Sequence, residues 1–204
     1  MTEPDTFRLP DTIEAIEFYY QQGLTDGLPV IPPTPERVEL FLKHSGLGPN
    51  DVLGTRASRN WVVTAKKVAV NAIMAGCLPE YAPVVNAAVK ALLKPEFNAS
   101  GISETTSGMS APLIVVNGPI RKRLNINSGW NLFGPGWRAN STIGRAIRLV
   151  LMNVCKEIPG VTDKSAFGSA SRYTSCIAEN EEASSWEPFH VEHGFEEATS
   201  TVSL

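Results

Sequence analysis

The sequence predicts one α/β or α+β domain in which several helices cover a small buried sheet. The chain has 204 residues, of which 43% are hydrophobic and 19% charged, and this size and composition suit a single domain with its own core. Several segments repeat apolar residues at helical spacing. Two short segments, 112–117 and 172–178, have the apolar character of buried strands.

Five segments have the periodicity and the end signals of helices. They cover residues 11–23, 34–43, 64–74, 79–93 and 140–154. Asp11 is a typical N-cap residue, and Pro35 and Pro79 suit the first turn of a helix. Asn140 is expected to cap the last of these helices, whose apolar periodicity is the strongest in the chain.

The remaining segments are predicted to be strands, turns and an irregular tail. Residues 28–33 contain three prolines and are expected to be extended and rigid, because proline has no N–H to donate. A turn follows the strand 112–117, and an acidic turn follows the strand 172–178. The last residues, 199–204, are β-prone, so they either pair as a strand with another subunit or fray as chain ends commonly do.

Composition and charge exclude several classes of protein. The net charge is −3, with no basic excess that would favour binding to nucleic acid. We find no apolar run of the roughly 20 residues that cross a bilayer, and the acidic start Met1–Asp5 is unlike a secretory signal. We therefore expect a cytoplasmic, non-membrane protein whose three cysteines are free thiols.

The first candidate site is centred on Cys77, which lies between two predicted helices. If the amides at the start of the second helix face its sulfur, the thiol pKa is lowered and the thiolate becomes a nucleophile. Glu80 or Tyr81 would then transfer a proton. In the alternative interpretation, Cys77 is a small buried hydrophobic residue and Glu80 is an ordinary first-turn acid.

The second candidate site is a loop rich in glycine, tryptophan and asparagine that leads into the predicted helix 140–154. Its backbone could approach a ligand closely, and the start of the helix favours anions. Two arginines could hold a carboxylate or phosphate between aromatic walls. The candidate substrate-binding residues are Asn127, Trp130, Asn131, Gly134, Gly136, Trp137, Arg138, Asn140, Ser141, Thr142 and Arg145. Alternatively, the loop is packed by its tryptophans and the arginines are solvated.

The third candidate site lies near the C-terminus. Cys176, His190 and His193 are residue types that bind zinc, but their spacing matches no known zinc motif. A strand that ends in a solvated acidic turn is the competing interpretation. Glu179 is a candidate general base beside a bound substrate.

Several sequence blocks resemble a bacterial family associated with UGSC-type thiol and selenol proteins. These blocks include Met-Ala-Gly-Cys-Leu-Pro-Glu-Tyr at 74–81, Phe-Gly-Pro-Gly-Trp-Arg-Ala-Asn-Ser-Thr-Ile-Gly-Arg at 133–145 and Ala-Glu-Asn-Glu-Glu-Ala-Ser-Ser-Trp-Glu-Pro at 178–188. The UGSC signature itself is absent from this chain. The resemblance therefore implies a subunit or half of a larger assembly, in which a partner chain carries the reactive thiol or selenol.

These observations lead to three functional hypotheses. The first is an enzyme or enzyme subunit that uses Cys77 on a small anionic molecule, by redox chemistry or by cleavage of a carbon–heteroatom bond. The second is a non-catalytic ligand-binding or scaffolding subunit of a heteromeric complex. The third is a metal-dependent lyase or hydrolase. The sequence identifies no cofactor, and we expect the protein to be oligomeric.

Overall fold

The long helices lie where the sequence predicts them. The computed structural model describes residues 11–56, 61–99, 101 and 110–204, so Met1–Asp5 lies outside the described residues. The α-helices are α1 (Thr12–Gln21), α2 (Pro35–Ser45), α3 (Ala65–Ala75), α4 (Ala82–Leu92), α5 (Ile120–Arg123), α6 (Arg138–Asn153) and α7 (Phe189–Glu192). The predicted capping residue of α1 is confirmed, because Asp11 Oδ1 accepts a hydrogen bond from the Glu14 N–H at 2.9 Å.

Two helices start differently from the prediction. Residues Pro79–Tyr81 form a short 3-10 turn, and the α-helix proper begins at Ala82. Helix α6 begins at Arg138, two residues before the expected cap, and Trp137 occupies the N-cap position without a side-chain hydrogen bond. Asn140 therefore lies inside the first turn, where its side chain is free to bind a different part of the backbone.

The described strands form two small sheets. They are β1 (Val52–Arg56), β2 (Trp61–Thr64), β3 (Ile114–Asn117), β4 (Cys176–Ala178) and β5 (Thr201–Ser203). β1 and β2 make an antiparallel hairpin that the sequence analysis did not predict. In the other sheet, β3 is central, with β4 parallel to it on one side and β5 antiparallel on the other. The molecule is thus a small α+β domain, as expected.

Two predictions for the C-terminal part need correction. Only the last three residues of the predicted strand 172–178 are β-structure, and Ala170–Arg172 form a 3-10 turn before it. The final strand pairs with its own chain, where Val202 lies opposite Val116. It therefore forms an edge of the chain's own sheet instead of fraying.

The core forms where α3 packs along α6. Both helices bury small and branched apolar side chains, and this burial is the main stabilising contribution. Gly144 allows α6 to approach the chain that enters β4, since a Cβ at this position would lie 2.5 Å from the Ser175 nitrogen. Among the helices in the described ranges, none has both the length and the apolar character of a membrane span.

Candidate functional site

The structure brings the Cys77 segment and the start of α6 into direct contact. Gly76 ends α3 with a left-handed backbone, φ +95°. The Arg138 side chain donates from Nε and Nη2 to the Gly76 carbonyl, at 3.2 and 3.0 Å. The Cys77 thiol donates to the Thr142 carbonyl at 3.2 Å. Two segments that are distant in sequence therefore meet, although they do so by bonding to each other.

The expectation of a lowered pKa at Cys77 is wrong. Burial raises the pKa of this thiol to about 12, and the opposing effects of the Thr142 hydrogen bond and the charges of Arg138 and Arg145 are smaller. The α-helix predicted to begin at Pro79 starts only at Ala82, and the sulfur instead faces a carbonyl oxygen of α6. The Cys77 N–H itself closes α3 by donating to a carbonyl of that helix. At neutral pH the residue is a protonated thiol.

The two residues expected to transfer protons differ in their surroundings. Tyr81 is buried, and burial raises the pKa of its phenol, which the Arg138 charge opposes. It therefore stays protonated near neutral pH. Glu80 is exposed on the short turn before α4.

The Arg145 guanidinium, which was predicted to hold a substrate anion, is bonded to groups of the protein itself. Its Nε and Nη2 atoms each lie 2.8 Å from an oxygen of the Asp26 carboxylate. Nη2 also donates to the carbonyls of Leu28 and Pro29. The guanidinium thereby ties the extended, proline-rich segment to α6, and in this state it is occupied by the protein's own acceptors.

The predicted asparagines also bind the protein itself. Asn140 Oδ1 accepts from the Asn127 N–H at 2.8 Å, and Asn140 Nδ2 donates to the Asn127 carbonyl at 3.1 Å. The Asn127 side chain in turn accepts from the Gly129 N–H and donates to the Trp130 carbonyl. Asn131 has a positive φ of 56° and donates to a carbonyl further along the loop. These bonds give the loop a fixed shape.

The other predicted residues of the loop and of the helix start are also held by contacts within the protein. Gly134 is in close approach to the Asn131 side chain, so a Cβ there would clash, and Gly136 has a positive φ of 116°. The Thr142 hydroxyl donates to the Arg138 carbonyl at 2.8 Å. The Ser141 carbonyl accepts from the Thr174 hydroxyl at 2.9 Å. These bonds explain the local fold and do not need a ligand.

Two tryptophans are the most exposed large side chains near this loop. Trp130 is 96% exposed and Trp186 is 84% exposed, whereas Trp137 is half-buried. Phe133, on the same loop as Trp130, is 69% exposed. Of the two tryptophans predicted as walls around a ligand, Trp130 is therefore covered by solvent and Trp137 is packed in part against the protein.

A second polar region lies at the carboxyl ends of the parallel strands β3 and β4, where the sequence analysis identified Glu179 but not its partner Asn117. Asn117 ends β3, is fully buried and donates through Nδ2 to the carboxylates of Glu179 and Glu181. Glu179 follows β4 and also accepts from the Phe189 N–H at 3.0 Å. A buried asparagine directly after an apolar strand is the signal that could have revealed this region.

Arg121 holds the acidic turn in place. Its side chain is buried and donates to both Glu181 and Glu182. Burial alone would raise the pKa of Glu181, but hydrogen bonds from Arg121, Gly118 and Asn117 outweigh it and lower that pKa. Hydrogen bonds from Arg121 and Lys122 lower the pKa of Glu182 to about 2. The turn is thus tied down by ion pairs, although Glu182 itself is 48% exposed, so it is in part the solvated acidic turn of the competing interpretation.

The proposed zinc residues do not form a metal site. Cys176 is buried at the start of β4, and burial raises the pKa of its thiol. His190 is buried with Nε2 near the Glu197 carbonyl, while His193 is exposed and bonds to the Phe189 carbonyl. Within the described ranges, no group of three or more His, Cys, Asp or Glu side chains is placed to hold a metal ion. The metal hypothesis is therefore wrong for these residues.

Comparisons with known proteins add no further constraint. No protein-family model, no curated protein and no solved structure matches this chain. Functional inference therefore depends on the geometry described above.

Proposed function

We propose that the chain is a scaffolding subunit of a heteromeric complex. It docks on its partner through two aromatic loops at the carboxyl end of β4, one that carries Trp130 and one that carries Trp186. The observation that carries this proposal is the near-complete exposure of Trp130 and Trp186. Tryptophan is enriched among residues that dominate binding energy at protein interfaces. Large aromatic side chains bury about 150–250 Å² each when they are covered.

Both aromatic loops originate at the same end of the small sheet. Ala178, the last residue of β4, donates its N–H to the Asn127 carbonyl at the start of the first loop. The next residue, Glu179, accepts from the N–H of Phe189, which ends the second loop. The carboxyl end of β4 thus joins the bases of both loops, which supports a single docking surface.

The loops are fixed in shape before any partner binds. The Asn127 side chain bonds to two backbone groups of the first loop, and the Ser184 hydroxyl makes two hydrogen bonds with the backbone of Trp186. A surface that is already ordered loses less conformational entropy on association. Ordered loops that present bare tryptophans are therefore suited to protein binding.

Charge indicates the kind of partner. From Tyr173 to Leu204 the sequence has seven glutamates and no aspartate, lysine or arginine, and Arg121 and Lys122 offset this charge only at Glu181 and Glu182 among the ion pairs described above. Glu187 and Glu192, which flank the exposed Phe189, are themselves exposed. We expect the partner surface to combine an apolar centre with basic residues, because charge complementarity directs specific association.

A chemically reactive Cys77 is a weaker proposal. A thiol whose pKa is raised to about 12 by burial has very little thiolate at neutral pH, and the thiolate is the reactive form. We therefore do not assign Cys77 the role of nucleophile.

Co-expression with the products of neighbouring genes tests the proposed function. We expect one of these products to form a stoichiometric complex with the chain, seen by size-exclusion chromatography with light scattering. The double variant Trp130→Ala/Trp186→Ala should lose this complex. The control variant Phe167→Ala removes an equally bare ring, 88% exposed, on a different loop and should keep it. A complex that survives the double variant would refute the proposal.

A further inference from the structure

The loop that carries Trp186 is closed at its base by buried polar groups. Glu179, which precedes the loop, accepts a hydrogen bond at 3.0 Å from the N–H of Phe189, at the end of the loop. The next side chain is that of His190, which is 0% exposed and has no part in the docking surface described above. Its imidazole therefore lies beside the junction of the two loop ends.

Both ring nitrogens of His190 face oxygen acceptors. Nε2 lies 3.4 Å from the Glu197 carbonyl oxygen, and because a carbonyl only accepts hydrogen bonds, Nε2 carries a hydrogen. Nδ1 lies 4.0 Å from Glu181 Oε1. Within the described part of the chain, Nδ1 has no hydrogen-bond partner. In a neutral ring, Nδ1 therefore presents a lone pair to a carboxylate, and this arrangement makes no bond.

The Glu181 carboxylate has an acceptor position left for another donor. It accepts hydrogen bonds from the Gly118 N–H, Asn117 Nδ2 and Arg121 Nη2, whereas an ionised carboxylate offers about four positions. These bonds also lower the pKa of Glu181, so it is ionised in the mildly acidic range. A hydrogen on Nδ1 would fill the remaining position after a closure of about 1 Å, since charge-assisted N–H···O bonds are about 2.7–2.9 Å long.

The polar cluster beside the imidazole has an uncompensated negative charge. It contains three carboxylates and two cations, which are Glu179, Glu181, Glu182, Arg121 and Lys122. Burial of a charged imidazole is unfavourable by itself, but a charge-assisted bond to an adjacent carboxylate opposes this cost. An imidazolium ion here would balance the charges of the cluster.

The other titratable groups of the surrounding elements are exposed or already paired. Glu192 and His193 on α7 are exposed, and so is Glu197 in the segment after it. Arg121 on α5 is paired with the acidic turn. Among the described residues, the charged partner that the imidazole faces is therefore Glu181.

We propose that His190 is a pH-sensitive latch at the base of the Trp186 loop. At mildly acidic pH, Nδ1 takes up a proton from solvent and donates it in a hydrogen bond to Glu181 Oε1, which fastens the start of α7 to the acidic turn. Only the folded chain supplies this acceptor, so the stabilisation is present at mildly acidic pH and is lost as the pH rises towards 8. The latch is a property of the isolated chain, so it goes beyond the docking function and does not depend on a partner.

Hydrogen exchange of the isolated full chain tests the latch. The N–H groups of Gly118 and Phe189 donate to Glu181 and Glu179, and they report on the two sides of the junction. We expect their protection factors, which correct for the effect of pH on intrinsic exchange, to be at least about threefold higher at pH 6 than at pH 8. His190→Gln should abolish this difference. Equal protection at both pH values in the wild-type chain would overturn the proposal.

The other histidines provide matched controls. The chain has three histidines, and His44→Gln and His193→Gln change exposed rings, so both variants should keep the pH dependence. Its loss in either control would assign the effect to another residue and refute the latch.

A measurement on the wild-type chain keeps the test valid if His190→Gln does not fold. The ¹⁵N chemical shifts of the ring nitrogens distinguish an imidazolium ion from a neutral ring. We expect Nδ1 and Nε2 of His190 both to carry hydrogen at pH 6, and only Nε2 to do so at pH 8. A ring that stays neutral at pH 6 would refute the latch and would favour a water molecule between Nδ1 and Glu181.

Discussion

The thiol of Cys77 shows how burial controls reactivity at the scale of one residue. Its sulfur is enclosed by the protein and donates a single hydrogen bond to the Thr142 carbonyl. Ionisation would place a negative charge in low-dielectric surroundings opposite a carbonyl oxygen. Arg138 and Arg145 reduce this cost but do not cancel it, so the pKa is raised.

The rate of alkylation measures the reactivity of each thiol directly. We expect iodoacetamide at pH 7 to modify Cys77, Cys155 and Cys176 slowly in the native protein, because all three thiols are buried. The same thiols should react rapidly after denaturation, which serves as the control. Mass spectrometry of the peptides gives the rate for each residue. Rapid and selective labelling of Cys77 at pH 6–7 would contradict the raised pKa.

At the scale of elements, buried ion pairs attach segments that lack helix or strand to the core. Arg145 on α6 holds Asp26 and the extended segment after it. Arg121 on α5 holds the acidic turn after β4. In both cases a guanidinium group satisfies several acceptors, and so the loss of one partner leaves a buried charge without compensation.

The pair of Arg145 and Asp26 has a measurable effect on stability. Arg145→Gln should lower the free energy of unfolding by about 3–5 kcal/mol, because it leaves the buried Asp26 carboxylate unpaired. Asp26→Asn should have a similar effect, and the double variant should lose less than the sum of the two. Lys122→Gln breaks an exposed pair and should cost less than about 1 kcal/mol. Additive losses in chemical denaturation would show that the two side chains are not coupled.

The acidic turn makes stability depend on pH. Because the folded-state pKa of Glu182 is about 2, below its ordinary value of 4.5, its contribution is present above pH 4.5 and is lost as the pH falls towards 2. Glu182→Gln should therefore reduce the loss of stability between pH 4.5 and 2, measured by urea denaturation. Glu187→Gln changes an exposed glutamate and serves as the control. Identical pH profiles for wild type and Glu182→Gln would contradict this assignment.

Local sequence signals predicted most helices but few of the contacts between segments that are distant in sequence. The apolar periodicity of α1, α2, α3 and α6 and the Asp11 cap of α1 depend on nearby residues, so the sequence was sufficient to find these helices. The hairpin β1–β2 and the pairing of β5 with β3 depend on contacts between distant segments. The intramolecular partners of Asn140 and Arg145, which are Asn127 and Asp26, could not be identified from spacing for the same reason.

At the scale of the whole molecule, the described surface has two separate regions with different properties. The aromatic loops at the carboxyl end of β4 present bare tryptophans beside acidic residues. A cleft beside the second half of α6 is lined by Arg148 and Arg172, both paired with Asp163, and by the rings of Phe167 and Tyr173.

Hydroxyl-radical footprinting of the chain, alone and in its complex, tests the proposed docking surface most directly. Trp130 and Trp186 should be oxidised rapidly in the isolated chain and protected in the complex. Trp61, which is buried in the chain's own core, provides an internal reference within the same molecule. If the two exposed tryptophans are oxidised at the same rate in the complex while another surface becomes protected, the account of this surface is wrong.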